Sequence, residues 1–304
     1  MSASPIQTKT NPPQPAFSGD AAAKQSRLLQ LFAELDSVIV ALSGGADSAY
    51  LAWAANQSLG GRAVCVTAIS PSFSAHDRGQ VENFVRSTAI RHSYVETDEL
   101  ADPRYAANSP DRCYFCKDEL FRTLEKVATQ HGVRAIAYGI NADDTTDFRP
   151  GHRAATEHRI LAPLLECGLT KAEIRELSRI AGLSTWDRPA SACLASRIPH
   201  GTTVTRENLS QVERGESILR ELGFRQFRVR HHEELARIEI APEELPNALQ
   251  VKVAAELAAR FKQIGYRYVT LDLEGYRQGS LNPIAKESAA GSQNSVPPSF
   301  PILT

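Results

Sequence analysis

No apolar stretch in this chain approaches the roughly 20 residues that a helix needs to cross a bilayer, so the sequence predicts no membrane span. An excess of either charge is missing too. The 34 Lys and Arg stand against 35 Asp and Glu, for a net charge of −1. Without a global basic field, nothing advertises nucleic acid or an anionic membrane as a partner. The N-terminus, MSASPIQTKTNPPQPAFSGD, lacks the apolar core of a secretion signal and is polar and proline-rich. It reads as a disordered leader over residues 1–22, and KESAAGSQNSVPPSFPILT at the other end reads as a disordered tail over 281–304. A cytoplasmic location is the expectation. There are five cysteines, at 65, 113, 116, 167 and 193. An odd count without an export signal argues against a disulfide framework. Cys65, within AVCVTAI, is expected to be a small buried hydrophobe, and Cys167 carries no motif.

What is present is the composition of an ordinary globular protein, 42% hydrophobic and 23% charged over 304 residues, long enough for two domains. Val38 to Leu42 form a short β-branched run that suits an interior strand. Further strands are expected at 63–69, 92–98 and 133–140, with helices over 48–58, 75–91 and 115–131. This alternation predicts an α/β fold, a parallel sheet with crossover helices, whose ligands bind beyond the carboxyl ends of the strands. Ser43, the Ser70-Pro71 loop and residues 139–144 should therefore meet at one edge. In LTKAEIRELSRIAGL, Thr170 and Glu173 have capping-box spacing and Gly182 closes the helix. After the irregular passage STWDRPASACLASRIPHGTTVT the pattern changes to a helix over 206–222, strands FRVRHH and LARIEI, a helix over 243–263 and a strand YRYVTLDL. A larger α/β domain over 23–200 and a smaller C-terminal α+β domain over 201–280 follow, with a boundary near Pro199–Thr203.

Between the first strand and its helix stands Ser43-Gly44-Gly45-Ala46-Asp47-Ser48. Two glycines permit a tight turn, and Asp47 and Ser48 fall where a helix starts. Strand, glycine turn and helix N-terminus make a cradle of N–H groups for an anion. The G-x-x-x-x-G-K-S/T and G-x-G-x-x-G signatures are both absent. The motif S-G-G-x-D-S resembles instead the PP-loop ATP pyrophosphatase superfamily, a likeness that extends over residues 37–190. It implies a loop that grips the β- and γ-phosphates of ATP while the α-phosphate is attacked, so that a substrate oxygen is adenylated and pyrophosphate released. Ser43, Gly44, Gly45, Asp47 and Ser48 would bind ATP, with Asp47 capping the helix or orienting Mg2+. In the second loop, YGINADDTTDFRPGHRAA, Gly139 and Asn141 follow a strand end, Asp143 and Asp144 suit Mg2+, and Arg149 and Arg153 suit phosphate.

Cys113-x-x-Cys116, in DRCYFCKDELF, opens a helix with a spacing that suits a metal, a cluster or a redox pair. No second C-x-x-C or His pair completes a zinc site, and His131, His231 and His232 are expected as surface or core histidines. Cys193, in RPASACLASRIPHG, is the natural third partner, and three thiolates on a 4Fe-4S cluster would leave one iron open. Together with ALSGGADSAYLA, GINADDTTDFRPGHRAA, LTKAEIRELSRIAGL and GFRQFRVRHHEELARIEI, these segments closely resemble the LarE family of sulfur-inserting enzymes, over residues 25–282. The resemblance implies that ATP adenylates a carboxylate of pyridinium biscarboxylic acid mononucleotide and that a sulfur nucleophile displaces AMP. Repetition gives the bis-thiocarboxylate needed for nickel-pincer nucleotide. In one branch of the family the cysteine at position 193 surrenders its own sulfur. In another it joins a C-x-x-C in holding a 4Fe-4S cluster, and Cys113, Cys116 and Cys193 place this chain in that branch.

The same resemblance gives roles to other residues. Lys117 would contact phosphate of substrate or AMP, Ser196 and Arg197 would orient substrate, and Glu216 would reach a metal or substrate near the sulfur site. Arg228 and Arg230 alternate along a strand, share a face, and would clamp the mononucleotide phosphate. A homo-oligomer acting beside other nickel-pincer biosynthesis enzymes is implied as well. The nearest rival, a tRNA thiolation enzyme, shares the loop and the three cysteines, but the near-neutral chain lacks an extended basic region. Amide-forming relatives such as NAD or GMP synthetases leave the C-x-x-C without a role, and a non-catalytic nucleotide binder would release no pyrophosphate.

Overall fold

The computed structural model describes residues 19–146, 150–189 and 193–277. The expected tail and Arg149 lie outside them, as does most of the expected leader. Helix α1 (Gly19–Ala33) already begins within the span read as leader. Along the chain follow β1 (Val38–Ala41), α2 (Ala46–Leu59), β2 (Ala63–Ile69), α3 (Ala75–Thr88) and β3 (His92–Glu96). Next come α4 (Pro103–Ala106), α5 (Arg112–His131), β4 (Ala135–Tyr138), α6 (Pro150–Glu157), α7 (Pro163–Glu166) and α8 (Lys171–Ile180). Strands β1 to β4 form one parallel sheet in the order β3-β2-β1-β4, with Val40 level with Cys65 on one side and Ala137 on the other. The predicted α/β class is the observed one.

Successive side chains of β1 point to opposite faces of the sheet. Val38 and Val40 pack with Leu28, Phe32, Tyr50 and Leu177 beneath α1, α2 and α8. Ile39 packs with Phe121, Leu124 and Ala154 beneath α5 and α6. Cys65 is fully buried in the first of these layers, as expected, and Cys167 joins it. Helix α8 carries the capping box read from its sequence: the Thr170 hydroxyl accepts from the Glu173 N–H, and the Glu173 carboxylate accepts from the Thr170 N–H at 2.9 Å.

The C-terminal unit comprises α9 (Arg206–Glu221), β5 (Phe227–His232), β6 (Leu235–Ile240), α10 (Leu245–Ala248), α11 (Val251–Gln263) and β7 (Tyr268–Leu271). Its sheet has the order β5-β6-β7, with β5 antiparallel and β7 parallel to β6. The single helix expected over 243–263 is two helices, because Gln250 adopts an extended conformation (φ −61°, ψ 133°). The helix expected to reach residue 91 stops at Thr88, where Ala89 takes a left-handed conformation. Among the described residues no helix is long and apolar enough to cross a membrane.

Between α5 and α6, His158 sits between Asp118 (2.9 Å) and Glu125 (3.0 Å). Burial opposes its protonation, but the two carboxylates prevail and raise its pKa. A raised folded-state pKa contributes stability that is complete below the unfolded value of about 6.5 and is lost as pH rises through the folded value. Urea midpoints of the parent and of His158→Gln should therefore differ most at mildly acidic pH and converge above neutrality. A constant difference would remove the charge from the explanation.

Candidate active site

Strands β1, β2 and β4 deliver their carboxyl ends to a cavity of about 210 Å³. The glycine loop enters it through Ser43, Gly45 and Ser48, the β2 loop through Ser70 and Ser72, and β4 through Tyr138 and Gly139. The meeting of these three loops follows the expectation from strand–helix alternation. A larger cleft, about 410 Å³, opens at the amino edge of the same sheet around Ser37, Arg62, Arg91 and His131, away from these loops.

Gly44 holds φ +80°, and a Cβ there would lie 2.8 Å from Val81. The turn it makes is braced by side chains, since Ser43 Oγ and Ser48 Oγ are 3.0 Å apart and the Ser48 hydroxyl donates to the Gly45 carbonyl at 3.1 Å. Arg188 clamps the loop from the far side. One of its nitrogens donates to the Gly44 carbonyl and another to Asp77 Oδ1 at 2.7 Å. Helix α2 then starts at Ala46 with Gly45 as its N-cap and no side-chain cap. Its first-turn N–H groups are thus left for an anion.

Asp47 does not cap the helix, contrary to one of the two roles expected of it. It lies one residue inside, where Lys171 Nζ (2.6 Å) and Asn141 Nδ2 (3.2 Å) both donate to its Oδ2. Its Oδ1 is buried with no hydrogen-bond partner. An orphaned carboxylate oxygen beside an anion cradle suits Mg2+, which takes few protein ligands and keeps phosphate and water. Asp143 Oδ2 accepts from the Lys171 N–H at 2.7 Å, and Asp144 Oδ2 from the Asn141 N–H at 3.1 Å, so both shape the loop around Asp47. Arg153 faces Asp111 and Glu157 and stacks over Tyr114, away from the cradle.

Helix α5 starts at Arg112, three residues earlier than expected, so the C-x-x-C lies within its first two turns. Cys116, Lys117 and Cys193 line the same cavity as the glycine loop. Desolvation pushes the Cys116 thiol up to about 12, and the charges of Cys193 and Glu99 add to it. Cys113 is raised by desolvation and then by Cys193. The surroundings of both α5 thiols thus oppose the thiolate form. Among the described residues, no group of three or more His, Cys, Asp or Glu side chains converges as ligands of a metal ion. The three thiols share a neighbourhood without forming a closed ligand set.

Two residues that the sequence reading passed over bind the α5 entrance to the Cys193 passage. Asn108, fully buried, donates through Nδ2 to the carbonyls of Ile198 (3.2 Å), Pro199 (2.7 Å) and Thr202 (2.9 Å). Arg112 donates to Asn108 Oδ1 (2.5 Å) and to the Ala195 carbonyl (2.8 Å). From the other side, Arg197 reaches the Cys193 carbonyl (3.2 Å) and pairs with Glu216 (2.7 Å). Ser196 Oγ donates to the same Cys193 carbonyl at 2.8 Å. Burial would raise the Glu216 pKa, but Arg197 outweighs it and holds the carboxyl below its usual range. Arg230 donates to the Ser196 carbonyl (3.1 Å) and pairs with Glu239 (2.8 Å), while Arg228 lies over the Tyr276 ring. Ser196, Arg197, Glu216 and Arg230 thus grip the turn that carries Cys193, a role that alternation along a strand did not suggest.

No family model matches the chain. Three curated proteins do. An uncharacterized protein of Synechocystis is 44% identical over 261 residues, covering 86% of this chain and 97% of the relative. The pyridinium-3,5-bisthiocarboxylic acid mononucleotide synthase of Lactiplantibacillus plantarum is 33% identical over 262 residues, covering 86% of this chain and 94% of the relative. An uncharacterized protein of Methanocaldococcus jannaschii is 28% identical over 240 residues, covering 79% and 90%.

Proposed function

The chain belongs to the LarE family, that of the pyridinium-3,5-bisthiocarboxylic acid mononucleotide synthases, and on that premise we propose that it is an ATP-dependent sulfur transferase. It would adenylate the carboxylates of a pyridinium biscarboxylate mononucleotide and exchange the activated oxygen for sulfur. One observation carries this reading: a single cavity is bordered by the phosphate-cradling Ser43, Gly45 and Ser48 and by the thiols of Cys116 and Cys193.

A carboxylate resists nucleophiles because its charge is delocalised and oxide is a poor leaving group. Transfer of AMP to one oxygen makes AMP the leaving group, and the uncapped first turn of α2 holds the departing pyrophosphate. Asp47 Oδ1 is the protein oxygen available to Mg2+ bound with the triphosphate, and that ion supplies charge neutralisation. Lys117, on the thiol side of the cavity, meets the carboxylate or phosphate of the acid. The Cys193 sulfur then attacks the acyl carbon: a carbon–sulfur bond forms, the bond to AMP breaks, and the thiol proton leaves to solvent. Loss of the Cys193 α-proton then breaks its Cβ–Sγ bond, so the thiocarboxylate departs and residue 193 is left as dehydroalanine. In the three-cysteine reading Cys113, Cys116 and Cys193 would instead hold a 4Fe-4S cluster, which would supply the transferable sulfide in place of the Cys193 sulfur. The same proposal takes the protein as a cytoplasmic homo-oligomer working beside other nickel-pincer biosynthesis enzymes, with no nucleic-acid partner.

The test is turnover of the biscarboxylate nucleotide with ATP and Mg2+. Pyrophosphate, AMP and an oxygen-for-sulfur mass shift in the product are expected, and Cys193→Ala should form no thiocarboxylate. Absence of pyrophosphate release with this acid would overturn the proposal. Iron and sulfide analysis after anaerobic purification decides the cluster separately, at about four iron atoms per chain if three thiolates hold it.

A further inference from the structure

Glu99 is 3% exposed and lines the cavity that Cys116, Lys117 and Cys193 share. Its partners are two hydroxyls, Ser70 Oγ at 2.8 Å and Ser72 Oγ at 2.5 Å, both on Oε1. None of the ion pairs formed among the described residues includes it. A carboxylate taken out of water without a cation is costly, and hydroxyl donors offset only part of that cost. Nothing in the packing of the domain calls for a charge here. Glu99 sits on a short turn just beyond β3, and an uncharged glutamine would accept the same two hydroxyl bonds.

The carboxylate is also placed with some care. The Ser72 that donates to it accepts, through its backbone carbonyl, the N–H of Leu194 at 3.1 Å. Glu99 is thereby tied to the residue next to Cys193. Its charge is felt by Cys116, whose thiol it helps to raise. Lys117 lines the same cavity and is not paired with it, its ammonium lying 6.0 Å from the centre of the Phe121 ring. One cavity thus presents a cation and an anion that do not neutralise each other. Its complement is a ligand that carries both signs.

The proposed substrate has that character, with a positive ring nitrogen and negative carboxylates and phosphate. Resting on the functional reading above, we propose that Glu99 is the counter-ion of the substrate's pyridinium ring and determines specificity for a charged ring over a neutral one. The carboxylate holds the ring while Lys117 meets an anionic group at its periphery. The acyl carbon is then presented to Cys193, whose position is fixed through Ser72 and Leu194.

Two probes of nearly equal size separate charge from shape: nicotinic acid mononucleotide, whose ring is a pyridinium, and its dihydro form, whose ring is neutral. In calorimetric titrations of the full-length protein, the parent should bind the charged ring at least tenfold more tightly. Glu99→Gln should bring the two affinities within about threefold, and Glu99→Asp should restore part of the difference. The urea midpoint reports on the integrity of the variants and should stay close to that of the parent. A parent that binds both rings equally overturns the assignment alone. One that binds neither overturns the reading of the substrate, and the assignment with it. Tight Mg2+ binding that disappears in Glu99→Gln, without ring discrimination in the parent, replaces the pyridinium with a metal.

Discussion

Replacing Gly139 with alanine should weaken ATP binding by tenfold or more and lower stability by about 1–3 kcal/mol, the usual cost of forcing atoms into a packed contact. Strand β4 ends where α2 begins, and the two backbones nearly touch. A Cβ on Gly139 would lie 2.8 Å from Ser48 N, 2.9 Å from Ser48 Cα and 3.1 Å from the Asp47 carbonyl carbon. All three are main-chain atoms, so no side chain can rotate away and the first turn of α2 must shift. That turn carries the free N–H groups, and Asp47 with its unsatisfied Oδ1. Titration of the variant with ATP and Mg2+, alongside its urea midpoint, checks both effects. Unchanged nucleotide affinity in a folded variant would detach the α2 N-terminus from ATP binding.

Asn108→Ala should cost about 3 kcal/mol or more, among the larger effects expected of a single substitution. The change removes the side-chain donor to the Ile198, Pro199 and Thr202 carbonyls, of which Pro199 keeps the Thr202 N–H at 3.1 Å, and it removes one of the two acceptors of the buried Arg112. It also places alanine at φ +55°, a conformation asparagine tolerates better. The visible sign beyond stability is at the thiols. With the knot undone, Cys193 should be alkylated faster and independently of bound nucleotide, whereas in the parent ATP should slow it. Urea denaturation and timed alkylation followed by mass spectrometry read both. A variant within about 0.5 kcal/mol of the parent, the range of an ordinary surface change, would show that the passage is held by its apolar contacts instead.

Local chemistry made the framework legible. The β-branched run at Val38–Leu42, the glycine pair after it and the Thr170–Glu173 pair each fix backbone geometry within a few residues, and each stands where expected. The glycine-loop side of the cavity was legible for the same reason, since Ser43, Gly45 and Ser48 are neighbours in sequence. Asn108, Arg112, Arg188 and Glu99 were not, because each acts on a residue 80 or more positions away, or, for Glu99, through its lack of an ion-pair partner among the described residues. No spacing encodes such a contact. Asp47 misled for a related reason. Acidic residues at a helix start are common caps, but Lys171, 124 positions later, draws this one inward. The 243–263 segment carried continuous helical composition, and only the extended Gln250 backbone divides it.

The apolar cluster beneath the Cys193 passage has a consequence for how the molecule comes apart. Tyr105 from α4, Leu194, Ala195 and Ile198 from the passage, and Leu209 and Val212 from α9 form one buried group. Its members come from both sides of the Pro199–Thr203 junction, so neither half can expose its share without stripping the other. This shared group couples the unfolding of the two sheets, and the turn that carries Cys193 lies at the point of coupling.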